Sequence, residues 1–123
     1  MKILYVDNKL VLREKIINYL GIEDMHGSIF RADDISEAIG ILNDNNVDVI
    51  VIEEELAGGK LNSLISKINS AGKNPVLIFL TSFKRLYYGK DYEKSGLVYF
   101  FDKNTELKKL KLFLNGITIS KQK

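Results

Sequence analysis

Four short, unbroken apolar runs constrain this chain more than any other feature: Ile3-Leu4-Tyr5-Val6, Val49-Ile50-Val51-Ile52, Val76-Leu77-Ile78-Phe79-Leu80 and Val98-Tyr99-Phe100-Phe101. Each is rich in β-branched and aromatic residues and is apolar at consecutive positions. A strand sends successive side chains to opposite faces, so such a run must be buried on both, as in a parallel sheet covered by helices on each side. Ser28-Ile29-Phe30-Arg31-Ala32 is a more polar run, suited to a sheet edge. Between the runs the apolar period turns helical: Leu12, Ile16, Tyr19 and Leu20; Ile35, Ala38, Ile39 and Leu42; Leu61, Leu64, Ile65 and Ile68; Leu107, Leu110 and Leu114. Strand and helix therefore alternate with short connections. Right-handed crossovers turn that order into a doubly wound, three-layer α/β/α fold.

Local signals mark the boundaries. Asp34 with Glu37 three residues on reads as a capping box, and Pro75 sits at the entry of its strand, where a missing N–H is tolerated. Asn115-Gly116 reads as a left-handed stop for the last helix. Residues 83–95 carry only a broken stripe through Leu86, Tyr88 and Tyr92, which predicts a short or irregular helix. At 123 residues the chain has the size of one domain, read as residues 1–117 followed by a short tail at 118–123.

Composition removes whole classes of chemistry. Without cysteine there is no disulfide framework, thiolate nucleophile or cysteine metal knuckle, and a single histidine leaves little for a histidine metal site or a Ser-His-Asp triad. No apolar run approaches the ~20 residues that cross a bilayer, and no secretory start precedes the first strand, so a cytoplasmic protein with no membrane partner is expected. The formal net charge of +2 hides a division: residues 1–83 carry −4 and residues 84–123 carry +6. In an open parallel sheet, reactive groups gather at the carboxyl ends of the strands. Here those positions are Asp7-Asn8, Glu53-Glu54-Glu55, Thr81-Ser82 and Asp102-Lys103.

From end to end the chain resembles the response-regulator receiver domain. The resemblance is carried by the segment from Met1 to Asn8, by Val47 through Gly58, by Leu80-Thr81-Ser82 and by Gly96 through Lys103, with Lys103 standing 22 positions after Thr81. It implies a CheY-like, flavodoxin-like five-stranded parallel sheet in the order 2-1-3-4-5, and a two-component signalling module in place of an enzyme. It also implies a phosphoacceptor position at Glu53, a Mg²⁺ site built from Asp7, Asn8 and Glu55, and a switch formed by Thr81, Lys103 and Phe100. Three positions depart from the family pattern: Asn8 stands where a second acid is usual, Glu53 where an aspartate is usual, and Asn104 where a proline follows the lysine.

Those departures have physical consequences. Mg²⁺ binds through few carboxylates in near-octahedral geometry, so an amide at position 8 weakens the site. The longer glutamate displaces the attacking oxygen by about a bond length, where a ~1 Å error can cost 10²-fold in rate. Ordinary phosphoacceptance is therefore not expected, nor any cofactor beyond residual Mg²⁺. Glu53 can instead meet the Lys103 ammonium, with the Thr81 hydroxyl as a further donor, supplying part of the charge of a phosphorylated site. Whether that state is active-like or inactive-like stays open, as does a purely structural ion pair.

The resemblance also places a partner-binding surface on the helix after the fourth strand, the fifth strand and the last helix. Lys84, Arg85, Lys90, Lys94, Lys108, Lys109 and Lys111 fall there, with Tyr87, Tyr88 and Tyr92. Tyrosines of this kind are enriched at interfaces, so the surface is read as a docking face for an acidic protein or a second copy of the chain. A solvated lysine face is the plain alternative. Nucleic acid fits less well, because the basic density is modest and no reader motif is present. The expected function is a stand-alone signalling module acting by protein contact, independent of phosphorylation. Two alternatives remain: a regulator still phosphorylated by a histidine kinase, and a nucleic-acid-associated or structural module using the basic face.

Overall fold

All the strand runs form one sheet. The computed structural model describes residues 1–25, 27–53, 56, 61–70, 74–82 and 98–122. Its strands are β1 (Lys2–Val6), β2 (Ser28–Ala32), β3 (Val49–Glu53), β4 (Val76–Thr81) and β5 (Val98–Asp102). They pair in parallel in the order β2-β1-β3-β4-β5. The polar β2 lies at an edge, and β3, buried at all five positions, lies at the centre. The helices are α1 (Leu10–Leu20), a single turn α2 (Ile22–Met25), α3 (Ile35–Asp44), α4 (Leu61–Ser70) and α5 (Leu107–Gln122). The irregular helix expected over 83–95 lies outside the described residues.

Alternation along the strands divides the core into two layers. Leu4, Val6, Ile50, Ile52, Leu77 and Phe79 pack with Ala38, Leu64 and Ile68 from α3 and α4. Ile3, Tyr5, Val49, Val51, Ile78 and Leu80 pack with Ile16, Ile17, Leu20, Leu110 and Leu114 from α1 and α5. Each fully buried aliphatic side chain contributes roughly 1.5–3 kcal/mol, which is why the apolar runs dominate the fold. Asp34 caps α3 by accepting the Glu37 N–H at 2.8 Å. Gly21 ends α1 in the left-handed region (φ 66°), and its N–H closes on the carbonyls of Ile17 and Asn18.

Two sequence readings are corrected. On α1 the buried positions are Arg13, Ile16, Ile17 and Leu20, while Leu12 and Tyr19 face solvent. Arg13 takes the inward place, where its guanidinium donates to the carbonyls of Asp7 and Ala32, and the Tyr19 ring lies under the Lys111 ammonium. Asn115-Gly116 does not stop α5, which runs on to Gln122 through the region expected to be a tail. Ile117 still packs against the core, extending the apolar stripe, and that contact outweighs the ~1 kcal/mol a mid-helix glycine costs.

Candidate functional site

The parallel sheet brings the carboxyl ends of β1, β3, β4 and β5 to one edge. Val6 pairs with Ile52, so Asp7, just past β1, and Glu53, the last residue of β3, lie side by side. Both are almost fully buried, at 1% and 2% exposure. Asp7 Oδ1 accepts the Lys9 N–H at 2.9 Å, an Asx turn that fixes the carboxylate at the start of α1. Asp7 Oδ2 is buried with no hydrogen-bond partner among the described residues.

Lys103 reaches Glu53. Its Nζ donates to Glu53 Oε2 at 3.1 Å, and its side chain is only 10% exposed. The Lys103 N–H donates to the Thr81 carbonyl at 2.9 Å, carrying the β4–β5 ladder one step past the Thr81–Asp102 pair. Thr81 is buried at the end of β4. Phe100 is half-buried and stacks on Phe79, with ring centroids 5.1 Å apart and planes 19° from parallel. Phe79 pairs with Phe100 in register, so Phe100 and Thr81 share one face and the aromatic ring points into the core.

Not every expected residue joins the pocket. Asn8 is exposed beside Asp7, and Glu55 lies outside the described residues. Among the described residues no three His, Cys, Asp or Glu side chains gather closely enough to hold a metal ion. The donors fit Mg²⁺ poorly, since Asp7 offers a carboxylate, Asn8 only an amide, and one oxygen of Glu53 is engaged by an ammonium. Lys84, Arg85, Tyr87, Tyr88 and Tyr92, with Lys90 and Lys94, also lie outside the described residues. On α5, Lys108 and Lys109 are exposed, and Lys109 pairs with Glu106 at 3.4 Å. Lys111 turns toward α1, its ammonium 5.2 Å from the centre of the Tyr19 ring.

Sequence reasoning missed two residues around the pocket. Arg13, 7% exposed, donates from Nη1 to the carbonyls of Asp7 (3.1 Å) and Ala32 (3.4 Å) and to Asp33 Oδ1 (2.8 Å), tying the ends of β1 and β2 together. The apolar stripe of α1 gives no signal for it; five donors let its guanidinium serve several strand-end acceptors at once, including the Ala32 carbonyl that also takes the Asp7 N–H at 3.0 Å. Tyr5 is the second. Its hydroxyl is buried without a hydrogen-bond partner among the described residues, and its ionisation is pushed far up, first by burial and then by the charges of Asp7 and Glu53.

That shift makes an alkaline prediction. The folded chain keeps the Tyr5 proton where the unfolded chain loses it, so this contribution is complete below pH ~10 and declines as pH rises further. The loss from this one phenol is about 1.4 kcal/mol per pH unit. Urea denaturation between pH ~9 and ~11.5 should therefore show a shallower decline in Tyr5→Phe than in the parent chain. Identical slopes would contradict the burial of the hydroxyl.

Comparison with known proteins agrees with this sheet order. A two-component response regulator from Clostridium difficile is similar at 25% identity and TM-score 0.76, covering 95% of this chain and 94% of that one. The receiver domain of the Francisella response regulator 1452 shares the fold at 24% identity and TM-score 0.70, covering 99% and 98%. A response regulator receiver domain protein from Clostridium thermocellum does so at 20% identity and TM-score 0.76, covering 98% and 96%. No curated protein matches the sequence. No helix among the described residues is long and apolar enough to cross a membrane. The family model for the response regulator receiver domain matches residues 3–115, and with the sheet order in agreement, this chain belongs to that family of signalling modules.

Proposed function

We propose that this receiver domain signals by protein contact without accepting a phosphoryl group. The observation that carries the reading is the buried contact between Lys103 Nζ and Glu53 Oε2 at 3.1 Å. At the phosphoacceptor position stands a longer carboxylate already engaged by the lysine that a phosphoryl group would have to recruit. Phosphoryl transfer to a carboxylate depends on placement and on a metal ion neutralising developing charge. Glu53 changes the placement, and the amide of Asn8 removes part of the metal's ligand charge.

The ion pair supplies one negative charge where a phosphorylated aspartate would carry nearly two. With Phe100 stacked inward on Phe79, it favours one resting arrangement of the strand-end edge in the absence of a kinase. Contact with partners is assigned to the basic surface that includes Lys108 and Lys109, whose chemistry suits an acidic protein or an acidic patch on a second copy of the chain. The test is Mg²⁺ with beryllofluoride, a phosphoryl mimic, followed by amide NMR. Unchanged Thr81 and Lys103 resonances are expected. A saturable shift at both would show that the site still takes a phosphoryl group.

A further inference from the structure

Lys103 is carried on a turn that this chain builds in its own way. The turn joins β5 to α5 and has Asn104 after the lysine, with all its peptide bonds trans. Asp102 organises it through four hydrogen bonds. Its Oδ1 accepts the N–H groups of Asn104 at 2.7 Å and Thr105 at 3.1 Å. Its own N–H donates to Glu106 Oε1 at 2.9 Å, and its carbonyl accepts the Glu106 N–H at 2.8 Å. The Lys103 N–H is bound to the Thr81 carbonyl, so the amides of residues 103, 104 and 105 are all held within the chain.

These bonds have the form of a helix N-cap, the carboxylate accepting the N–H groups two and three residues on and the carbonyl the one four residues on. They lie a turn ahead of α5, whose ladder continues from the Glu106 carbonyl to the Leu110 N–H at 3.0 Å. The Asp102 carboxylate therefore closes the turn around the lysine itself. Position 104 must supply an N–H for the shortest of these bonds, which a proline cannot do. Lysine has a long, flexible stem, so a fixed backbone beneath it is what confines its ammonium to one partner.

We propose that Asp102, braced by Glu106, is a positioning residue for Lys103, holding the turn so that the ammonium stays on Glu53. This rests on the reading of Glu53–Lys103 as the pair that stands in for phosphorylation, and it adds the device that keeps the pair assembled.

The experiment follows the Lys103 side-chain ammonium by ¹H–¹⁵N NMR at low temperature, where a paired ammonium gives a signal and a solvated one exchanges it away. Asp102→Ala is expected to lose the signal, and Asp102→Asn, whose amide oxygen can accept the same two N–H groups, to keep it. Glu106→Ala removes only the side-chain acceptor of the Asp102 N–H and is expected to lose the signal as well, so it carries the test should Asp102→Ala fail to fold. Retention of the signal in Asp102→Ala or in Glu106→Ala would overturn the assignment, as would its loss in Asp102→Asn. Adding Mg²⁺ and beryllofluoride to the same samples separates the two levels. A bound fluoride signal would refute phosphorylation independence, while the ammonium results would still decide the role of Asp102.

Discussion

Replacing Lys103 by methionine is expected to lower folding stability by about 3–5 kcal/mol, and adding Glu53→Gln to restore most of the loss. Glu53 is 2% exposed, so removing the ammonium leaves a carboxylate charge in a poorly solvated place with its counter-charge gone. Neutralising both groups removes the charge together with its partner, and such exchanges are often close to neutral. Domain stabilities are about 5–15 kcal/mol, so the single substitution would consume a large part of the total. Urea midpoints of the parent, both single variants and the double variant give the coupling directly. A coupling above about 2 kcal/mol fits a buried, committed pair, whereas additive effects would reduce it to a surface-like contact worth at most about 1 kcal/mol.

The second large effect comes from reversing the two departures. Asn8→Asp with Glu53→Asp restores a second acid beside Asp7 and shortens the carboxylate that Lys103 now holds. Mg²⁺ gains a charged oxygen ligand in place of an amide, and the attacking oxygen moves back by about a bond length. Mg²⁺ affinity of the double variant is expected to rise by at least about tenfold, equivalent to ~1.4 kcal/mol, over the parent chain in calorimetric titration. Each single variant should gain less, because one leaves the amide and the other leaves the lysine on a glutamate. No gain in the double variant would mean that the pocket differs from a metal-binding receiver in more than these two side chains.

The fold was legible where burial is decided by local pattern. β3 could be read from Val49-Ile50-Val51-Ile52 because all of it is buried, and a doubly covered strand leaves no ambiguity of face. The strand-end rule then placed Glu53, Thr81 and Lys103 at one edge, and the Lys103 side chain reaches Glu53 past the end of β4, the strand between them. Readings failed where a partner distant in sequence decides. Arg13 is buried where Leu12 is exposed, its guanidinium donating to the carbonyls of Asp7 and Ala32, and a helical stripe counts only apolar residues. Gly116 continues a helix because Ile117 has core to meet. Asp102 reads in the sequence only as an acid at a strand end, and its hydrogen bonds to Asn104 and Thr105 belong to turn geometry that composition does not display.

The most direct test of the central claim is the intact mass of the chain after incubation with acetyl phosphate and Mg²⁺. The parent chain is expected to keep its mass unchanged, because Glu53 is engaged by Lys103 and Asn8 offers the metal only an amide. Addition of one phosphoryl group, mapped to Glu53, would contradict the account.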